Sequence, residues 1–288
     1  WGPYSAQVAG TYSGETNLGL GGADCAPPPF GCIPEFGAWG GMTFDLENDV
    51  IYSLDRQDWL ARVGSQVVDR GYHSRLRVSS RHHRHTRSYT KAVIDGDTVG
   101  LAYDSSRQRL YTVYDYHLWA LDPETGELTE EIADLPREFI LEEYLYLRMT
   151  YSPQTDSVYL FEGRCSNRNN PAYLASINVG TGQVGSTVAV RLSRGGDIFD
   201  IRGFYFDPRR NEILCGMRMS SGPVWDRLFS LNPDDGVATE VGQFGEGDMP
   251  YQLAYDSNSS TLYGVGSAYL LTVEMDADGS IVTQRVGF

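Results

Sequence analysis

The sequence predicts an all-β fold: a single five-bladed β-propeller of four-stranded blades with an ordered N-terminal extension. Three observations predict it: a recurring aromatic residue with a fixed local partner pair, recurring Gly-containing turns, and a scarcity of helical segments. A unit that repeats at roughly 40 to 50 residues is typical of propellers and solenoids. In five copies an aromatic residue is followed, seven and eight residues later, by an aliphatic residue and then Tyr or Leu. The copies are Phe44, Ile51 and Tyr52; Tyr103, Leu110 and Tyr111; Tyr151, Val158 and Tyr159; Phe206, Ile213 and Leu214; Tyr255, Leu262 and Tyr263.

A short, largely apolar segment opens each copy and predicts the first strand of a blade. These segments are 41–44, 100–103, 148–151, 203–206 and 252–255. A polar turn follows, opened by Asp45, Asp104, Ser152, Asp207 or Asp256. Short polar side chains in such a place can accept a hydrogen bond from the backbone two residues on, which stabilises the turn. The second strand then carries the aliphatic residue and the Tyr or Leu.

Two further strands complete each predicted blade. The third strands are expected at 59–63, 118–121, 173–177, 228–231 and 269–273. Gly-containing turns follow four of them, at 122–126, 178–182, 232–236 and 276–279. The fourth strand is plainest in the β-branched stretches 184–190 and 281–286. Four short strands joined by tight turns make the blade of a propeller.

A β-sandwich or a parallel solenoid also uses short strands and regular turns. The intervals between the copies are 59, 48, 55 and 49 residues, which is too long for one coil of a solenoid. Five copies would also supply more strands than a β-sandwich contains. Helix is expected only at 136–147, where a proline suits the first turn. The propeller is therefore the preferred fold.

The predicted organisation is an extension and one closed domain. Residues 1–40 would close or decorate the ring, and residues 41–288 would form blades near 41–97, 98–145, 146–200, 201–249 and 250–288. The first blade is irregular, because segments 72–79 and 87–94 alternate well enough to form an inserted hairpin.

The composition limits the kinds of partner and the compartments that we expect for this protein. A net charge of −15 argues against nucleic-acid binding, which needs a basic footprint. No stretch approaches the roughly 18 apolar residues of a membrane-spanning helix. A chain that starts at Trp1 without an initiator Met predicts processing, most simply of a secretory signal. We expect a secreted, extracellular or cell-surface protein, with the periplasm as another compartment.

The four cysteines form two candidate disulfide pairs. Cys25 and Cys32 enclose a six-residue, proline-rich loop that closes easily. Cys165 and Cys215 lie at equivalent strands of the third and fourth copies, so adjacent blades would bring them together. Three connectivities remain open for four cysteines. Disulfides favour an oxidising compartment.

The copies resemble the blades of secreted bacterial β-propeller repeat proteins. The resemblance is carried by residues 100–111, GLAYDSSRQRLY, and 118–126, LWALDPETG, and covers roughly residues 41–287. It implies the propeller fold. Such blades occur in adhesins, surface proteins, lactonases and lyases alike, and no catalytic motif is matched, so the resemblance implies no catalytic residue.

Ligands of propellers usually approach the central channel, so the residues that enter the first strands are candidate site residues. They are Glu35, Trp39, Asp97, Tyr146, Arg148, Asp200, Arg202, Tyr251 and Gln252. Asp97 and Asp200 could supply an acid and a base if burial separated their pKa values. The alternative, which we prefer, is that these acids pair with Arg148 and Arg202 to neutralise a narrow channel.

A basic segment lies inside the first copy. Residues 70–91 hold seven of the 23 basic side chains and four of the five histidines, and no acid. Candidate ligand-binding residues there are Arg81, His83, Arg84, His85 and Arg87. His73, His83 and His85 could gather around a metal ion, but the arginines would repel a cation. An anionic glycan or an acidic protein patch fits better, and a solvated hairpin without a ligand stays open.

The leading functional hypothesis is a secreted, non-catalytic binding or assembly module without cofactor or metal. Its partner would be a protein, a second copy of the chain or an anionic glycan, as in adhesion or carbohydrate binding. The alternative is a propeller enzyme, a hydrolase, lyase or cyclase, that uses carboxylates at the central channel.

Overall fold

The computed structural model describes residues 41–45, 47–48, 50–63, 66–80, 89–95, 98–139, 147–162, 171–196, 198–219, 226–244, 250, 252–256, 261–265, 270–275 and 281–286. Across these residues the chain is all-β and is arranged as a β-propeller. Among them, no helix is both long and apolar enough to cross a membrane. The predicted N-terminal extension, residues 1–40, lies outside the described residues.

The strands follow the repeat. In chain order they are β1 (Met42–Asp45), β2 (Val50–Val63), β3 (Gln66–Ser80), β4 (Tyr89–Asp95), β5 (Thr98–Asp104), β6 (Arg109–Tyr114), β7 (His117–Leu121), β8 (Leu128–Asp134), β9 (Leu147–Ser152), β10 (Ser157–Glu162), β11 (Tyr173–Asn178), β12 (Val188–Ala189), β13 (Arg191–Leu192), β14 (Ile198–Asp207), β15 (Glu212–Met219), β16 (Asp226–Leu231), β17 (Val237–Gln243), β18 (Gln252–Asp256), β19 (Thr261–Val265), β20 (Leu270–Met275) and β21 (Ile281–Val286).

Within the described residues the strands pair into five sheets. The first sheet is β1-β2-β3-β4, the second β5-β6-β7-β8, the third β9-β10-β11-β12 and the fifth β18-β19-β20-β21. The fourth sheet is β14-β15-β16-β17, and β13 adds to it in parallel beside β17. Because β13 follows β12 directly in sequence, the chain passes from the outer edge of the third sheet onto the outer edge of the fourth.

Neighbouring sheets meet through their first strands. β1 contacts β5, β5 contacts β9, β9 contacts β14, β14 contacts β18, and β18 contacts β1. The first strand of each copy therefore lies innermost, at the common axis of the sheets.

The close approach of the inner strands requires glycine at two of their positions. Gly41 has φ +107°, and a Cβ there would lie 2.7 Å from the backbone C of Gly100 in the next sheet. Gly100 has φ +71°, and a Cβ there would lie 2.3 Å from the Sδ of Met149 in the sheet after that. The pairing of β5 with β6 shifts register across Gly100, between Val99 and Ala102, which is a β-bulge.

The aliphatic residue and the Tyr or Leu of each copy point to opposite neighbours, because side chains alternate along a strand. Val158 packs in the core cluster between the second and third sheets, whereas Tyr159 packs between the third and fourth. Ile213 faces the third sheet in the same way, and Leu214 faces the fifth. The fixed spacing of the repeat is thus the spacing that buries both faces of a blade.

The Gly-containing turns predicted after the third strands are confirmed in three copies. The amide N–H of Gly126 donates to the carbonyl of Asp122 at 2.7 Å, and Gly182 and Gly236 donate to Asn178 and Asn232 at 2.8 and 3.0 Å. The turn predicted at 276–279 lies outside the described residues.

The first sheet corrects two predictions. Segment 59–63 is not a separate third strand but the end of the 14-residue β2. Segments 72–79 and 87–94 are not an inserted hairpin, since 72–79 and the described residues 89–94 belong to β3 and β4, the sheet's own third and fourth strands. The sequence of β2 contains no Gly or Pro, so nothing local marks where the blade ends and the strand continues.

The continuation of β2 and β3 forms a two-stranded arm, residues 58–63 and 66–72. β1 pairs with β2 only as far as Ser53, and β4 pairs with β3 only as far as His73. Beyond these points β2 and β3 pair with each other up to Val63 and Gln66. The arm extends about 20 Å, from the rise per strand residue, at the end of the sheet opposite the Asp45 turn.

Two smaller predictions need correction. Of the helix predicted at 136–147, Arg137–Phe139 form one turn of 3-10 helix and Leu147 already begins β9, while residues 140–146 lie outside the described residues. The fourth strand predicted at 184–190 is shorter, because Val184 makes an isolated bridge to Ile177 and only Val188–Ala189 forms a strand.

Candidate functional site

The acids that open the first turns are buried and bind the backbone. Asp45 Oδ1 accepts hydrogen bonds from the amides of Glu47 and Asn48 at 3.2 and 3.1 Å. Asp104 Oδ1 accepts from Ser106 and Arg107 at 2.9 and 3.3 Å. These carboxylates are held as turn-forming groups, as predicted from the sequence.

At the first junction between sheets, a tyrosine of the second sheet caps the turn acid of the first. The Tyr103 hydroxyl donates to Asp45 Oδ2 at 2.8 Å, and its ring lies 5.4 Å from that of Tyr52. Burial and the hydrogen bond to Asp45 raise the pKa of Tyr103 well above its ordinary value, and burial raises that of Tyr52 to about 12. The opening aromatic of the second copy is therefore an inter-sheet contact.

At the second junction an arginine replaces the tyrosine as the main link. Arg107 binds Asp156 of the third sheet through Nη1 at 2.6 Å and Nη2 at 2.9 Å. Its Nη1 also reaches the buried carboxylate of Asp104 at 2.8 Å. The Tyr151 hydroxyl donates to Asp156 at 2.9 Å. We call these four residues the Arg107 network.

The Arg107 network shifts the pKa of each carboxyl in it. The hydrogen bond from Arg107 holds the pKa of Asp156 below its usual range. Burial opposes ionisation of Asp104, but hydrogen bonds from Ser106 and Arg107 outweigh it and lower its pKa. Both acids are thus charged partners of one guanidinium, which is a structural arrangement and not a general acid–base pair.

At the fourth junction the equivalent turn borders a cavity of about 140 Å³. It is lined by Asp207, Arg209, Arg210, Leu214, Tyr255, Leu262 and Val273. The guanidinium carbon of Arg209 lies 4.1 Å from the centre of the Tyr255 ring. Two arginines, one tyrosine and an apolar wall give this cavity the polarity of a small anion site.

Among the described residues, one group of side chains has the donors to hold a metal ion. The His117 Nδ1 lies 2.8 Å from Asp134 Oδ1 and 3.3 Å from Glu131 Oε1, on the outer strands of the second sheet. Both carboxylates are exposed, and Asp134 is 83% exposed. Exposed acids beside a histidine are commonly solvated ion pairs, so the geometry supports a surface pair.

The predicted channel residues are only partly brought together. Arg148 is buried on β9, and Arg202 is half-buried on β14. Asp200 lies on β14 opposite Arg218 of β15. Gln252 donates from Nε2 to the carbonyl of Phe204 at 2.9 Å, so it links the fourth and fifth sheets. Outside the described residues lie Glu35, Trp39, Asp97, Tyr146 and Tyr251.

The basic segment lies partly on strands and partly outside the described residues. Arg81, His83, Arg84, His85 and Arg87 lie outside the described residues, in the connection from Ser80 to Tyr89. His73 lies opposite Asp95, seven residues from Ser80, which is about 23 Å along a strand. Because His83 and His85 lie outside the described residues, the three-histidine metal site is not tested and stays a hypothesis.

The predicted disulfide of Cys215 is wrong. Cys215 is a free, fully buried thiol, and its Sγ lies 3.8 Å from the carbonyl oxygen of Phe229. Its side chain packs among apolar residues between the third and fourth sheets, and burial raises its pKa. Cys25, Cys32 and Cys165 lie outside the described residues, so a disulfide between Cys25 and Cys32 stays a prediction.

Sequence reasoning missed Arg107, Asp156, Arg209 and Arg210. A signal was present: three residues after the turn acid, the copies carry Asn48, Arg107, Thr155, Arg210 and Ser259. One residue further they carry Asp49, Gln108, Asp156, Asn211 and Ser260. An arginine in one copy and an acid in the next mark an ion pair only if neighbouring copies are also neighbours in space.

No protein-family model matches this sequence, and no curated protein matches it significantly. Similar solved structures are found at low identity. Glutaminyl cyclase from Myxococcus xanthus is 12% identical with a TM-score of 0.50, covering 88% of this chain and 93% of its own. A 6-phosphogluconolactonase-like protein from Bacteroides uniformis is 11% identical with a TM-score of 0.47, covering 86% and 84%.

TolB from Acinetobacter baumannii is 10% identical with a TM-score of 0.43, and the match covers 80% of this chain and 51% of TolB. At such identities the likeness shows the fold alone. The chain has the fold of bacterial β-propeller proteins.

Proposed function

We propose that the chain is a non-catalytic assembly module: a five-bladed propeller, exported from the cell, that joins other polypeptide strands through the arm of its first sheet. Five sheets whose first strands contact one another in sequence support the five-blade count. The resemblance to secreted propeller repeats and the net charge of −15 support export.

The observation that carries the proposal is the arm, residues 58–63 and 66–72. Within the described part of the chain, its two strands pair with each other and with no third strand. In a two-stranded pair each strand has an outer row of backbone N–H and C=O groups that the pair itself does not use. Such an open edge is a template for strand addition by another chain.

The sequence of the arm suits an interface. It includes Trp59, Leu60, Val63, Val67 and Val68, beside two acids and two arginines. Aromatic and aliphatic residues are enriched at the centres of protein interfaces, whereas isolated hairpins are marginally stable in water. A partner strand would stabilise the arm and bury its apolar residues together.

The hydrogen bonds that the turn carboxylates make support a non-catalytic role, because they give these carboxylates a structural function. Asp45, Asp104 and Asp207 each accept backbone amide hydrogens, with Asp207 Oδ1 accepting from Arg209 at 2.9 Å. Asp200 is placed by the strand register alone, opposite Arg218 on β15. The enzyme alternative with Asp97 and Asp200 has no such observation in its favour.

The test is an arm-shortened variant in which Asn-Gly joins residue 57 to residue 73. Gln57 and His73 are paired across β2 and β3, so a two-residue hairpin turn closes the sheet there. Sedimentation velocity of the full chain over a concentration series should show self-association, and the shortened variant should stay monomeric. Circular dichroism melts confirm that the blade remains folded.

A matched variant separates the arm from the basic loop. Replacing Arg81, Arg84 and Arg87 by Gln leaves the arm unchanged and should leave self-association unchanged. A full chain that is monomeric at every concentration overturns the proposal. Binding to heparin that the loop variant loses, with no self-association, would replace it with an anionic-glycan function.

A further inference from the structure

The turn after the first strand carries an arginine at the same place in two sheets. Arg107 stands three residues after Asp104, and Arg210 stands three residues after Asp207. In both turns the following residue, Gln108 or Asn211, has a left-handed backbone, with φ of 51° and 53°. The two turns therefore present their arginines toward the next sheet with the same local geometry.

In the second sheet this arginine is neutralised by the next sheet. Both terminal nitrogens of Arg107 bind Asp156, at 2.6 and 2.9 Å, and the Tyr151 hydroxyl donates to the same carboxylate at 2.9 Å. Asp156 stands four residues after the turn residue Ser152. The junction is closed by a carboxylate that an arginine and a tyrosine hold together.

In the fourth sheet the arginine lacks that partner in the sequence. The residue that aligns with Asp156 in the fifth copy is Ser260, which has no carboxylate. Among the described residues that line the cavity, the one acid is Asp207. It lies 3.9 Å from Arg210 Nε and 3.8 Å from Arg209 Nε, so two guanidiniums share one buried carboxylate.

A cavity stands beside these arginines. It has a volume of about 140 Å³, and Tyr255, the counterpart of Tyr151, forms part of its wall. Leu214, Leu262 and Val273 supply the apolar part of the wall. Pockets for drug-sized ligands span roughly 300–1,000 Å³, so this one suits a molecule of a few carbon atoms.

We propose that this cavity binds a small organic carboxylate. The bound carboxylate takes the position that Asp156 holds at the second junction, with Arg210 as the charged donor and the Tyr255 hydroxyl as a second donor. Arg209, stacked 4.1 Å over the Tyr255 ring, adds positive charge. The carbon chain of the ligand packs on the leucine and valine side chains.

The charge of the site sets its selectivity. Among the described lining residues, two arginines against one acid leave an excess of positive charge in a chain of net charge −15. The planar fork of a guanidinium matches a carboxylate in two hydrogen bonds, which a spherical ion such as chloride cannot reproduce. The site lies at the turn end of the strands, opposite the arm, and is independent of the assembly proposed above.

The experiment is isothermal titration calorimetry of the full chain with sodium butyrate, at constant ionic strength against sodium chloride. Saturable binding with a dissociation constant on the order of 1 mM is expected for so small a ligand. R210Q should weaken binding at least about tenfold, the effect of losing one charge-assisted hydrogen bond. R109Q is the matched control. Arg109 does not line the cavity, and its Nη1 lies 2.8 Å from the exposed Glu130 carboxylate.

A second variant, S260D, supplies the carboxylate that the fifth copy lacks. It should abolish butyrate binding and raise the melting temperature, since the junction would then be closed internally. Any of three results overturns the proposal. The wild-type chain shows no saturable heat of butyrate binding, R210Q and R109Q lose the same butyrate affinity, or S260D folds as the wild type and binds butyrate with unchanged affinity. Tighter binding of inorganic phosphate than of butyrate would also overturn the carboxylate assignment.

Discussion

Arg107 and Asp156, 49 residues apart in sequence, form a bidentate ion pair that joins the second sheet to the third at 2.6 and 2.9 Å. The same guanidinium neutralises the buried carboxylate of Asp104. One side chain thus satisfies a turn within its own sheet and a turn in the next. This double contact makes the junction sensitive to single substitutions.

R107Q should destabilise the protein by about 2 kcal/mol, because the buried Asp104 loses its charged partner. The loss is smaller than for a fully buried pair because the Arg107 side chain is 41% exposed. Urea unfolding monitored by circular dichroism measures it. R109Q, which breaks the exposed pair with Glu130, should change stability by no more than about 0.5 kcal/mol. Equal losses of stability in R107Q and R109Q would show that the Arg107 network does not stabilise the protein.

Stability should fall in acid because Asp104 and Asp156 have lowered pKa values in the folded state. A carboxyl with a lowered folded pKa stabilises the protein above its unfolded pKa of about 4, and this contribution is lost as the pH falls below that value. D156N should therefore be less stable than wild type at about pH 6, and the difference should shrink by about pH 3. Urea midpoints at both pH values measure it, and a constant difference would argue against the lowered pKa.

Y103F should cost about 1 kcal/mol, the net value of one hydrogen bond. The Tyr103 hydroxyl donates to Asp45 at 2.8 Å, and Asp45 keeps its bond from Asn48 Nδ2 at 2.7 Å. A double-mutant cycle with D45N isolates the coupling between the two side chains. A coupling energy near zero would show that the contact between the sheets adds no stability.

G41A should destabilise the protein by about 2–4 kcal/mol, because it combines backbone strain with a clash. Its Cβ would lie 2.7 Å from backbone atoms of Gly100 and Leu101, which cannot move aside as a side chain can. G195A is the matched control: Gly195 has φ +72° with nothing within 4 Å of its Cβ position. It should cost about 1 kcal/mol, from strain alone. Similar costs for both variants would mean that the inner strands are not closely packed.

Cys215 should be unreactive toward Ellman's reagent in the native protein, because its thiol is buried and its pKa is raised. It should react fully in denaturant without any reductant, because it is a free thiol. Alkylation followed by mass spectrometry identifies the modified residue. A Cys165–Cys215 peptide in the unreduced digest would restore the disulfide that the structure contradicts.

Much of the fold could be predicted because its signals are local. The aromatic spacing located the first and second strands, and the turn acids located the first turns, since each depends on residues within about ten positions. The first sheet was misread for the same reason. Alternation shows that residues near Trp59 form a strand, but it does not show which strand pairs with them or where the sheet ends.

The candidate site shows more clearly what local sequence signals cannot predict. Arg210 and Ser260 stand at fixed places in their copies, yet neither residue alone indicates a ligand. The repeat by itself determined the strands, the turns and the alternation that buries both faces of each blade, because these follow from backbone geometry over short spans. Only the tertiary structure decided that Arg107 meets Asp156, that Tyr103 meets Asp45, and that Arg210 borders a cavity. Those contacts join residues about 50 positions apart, and their energies exist only once the inner strands have packed side by side.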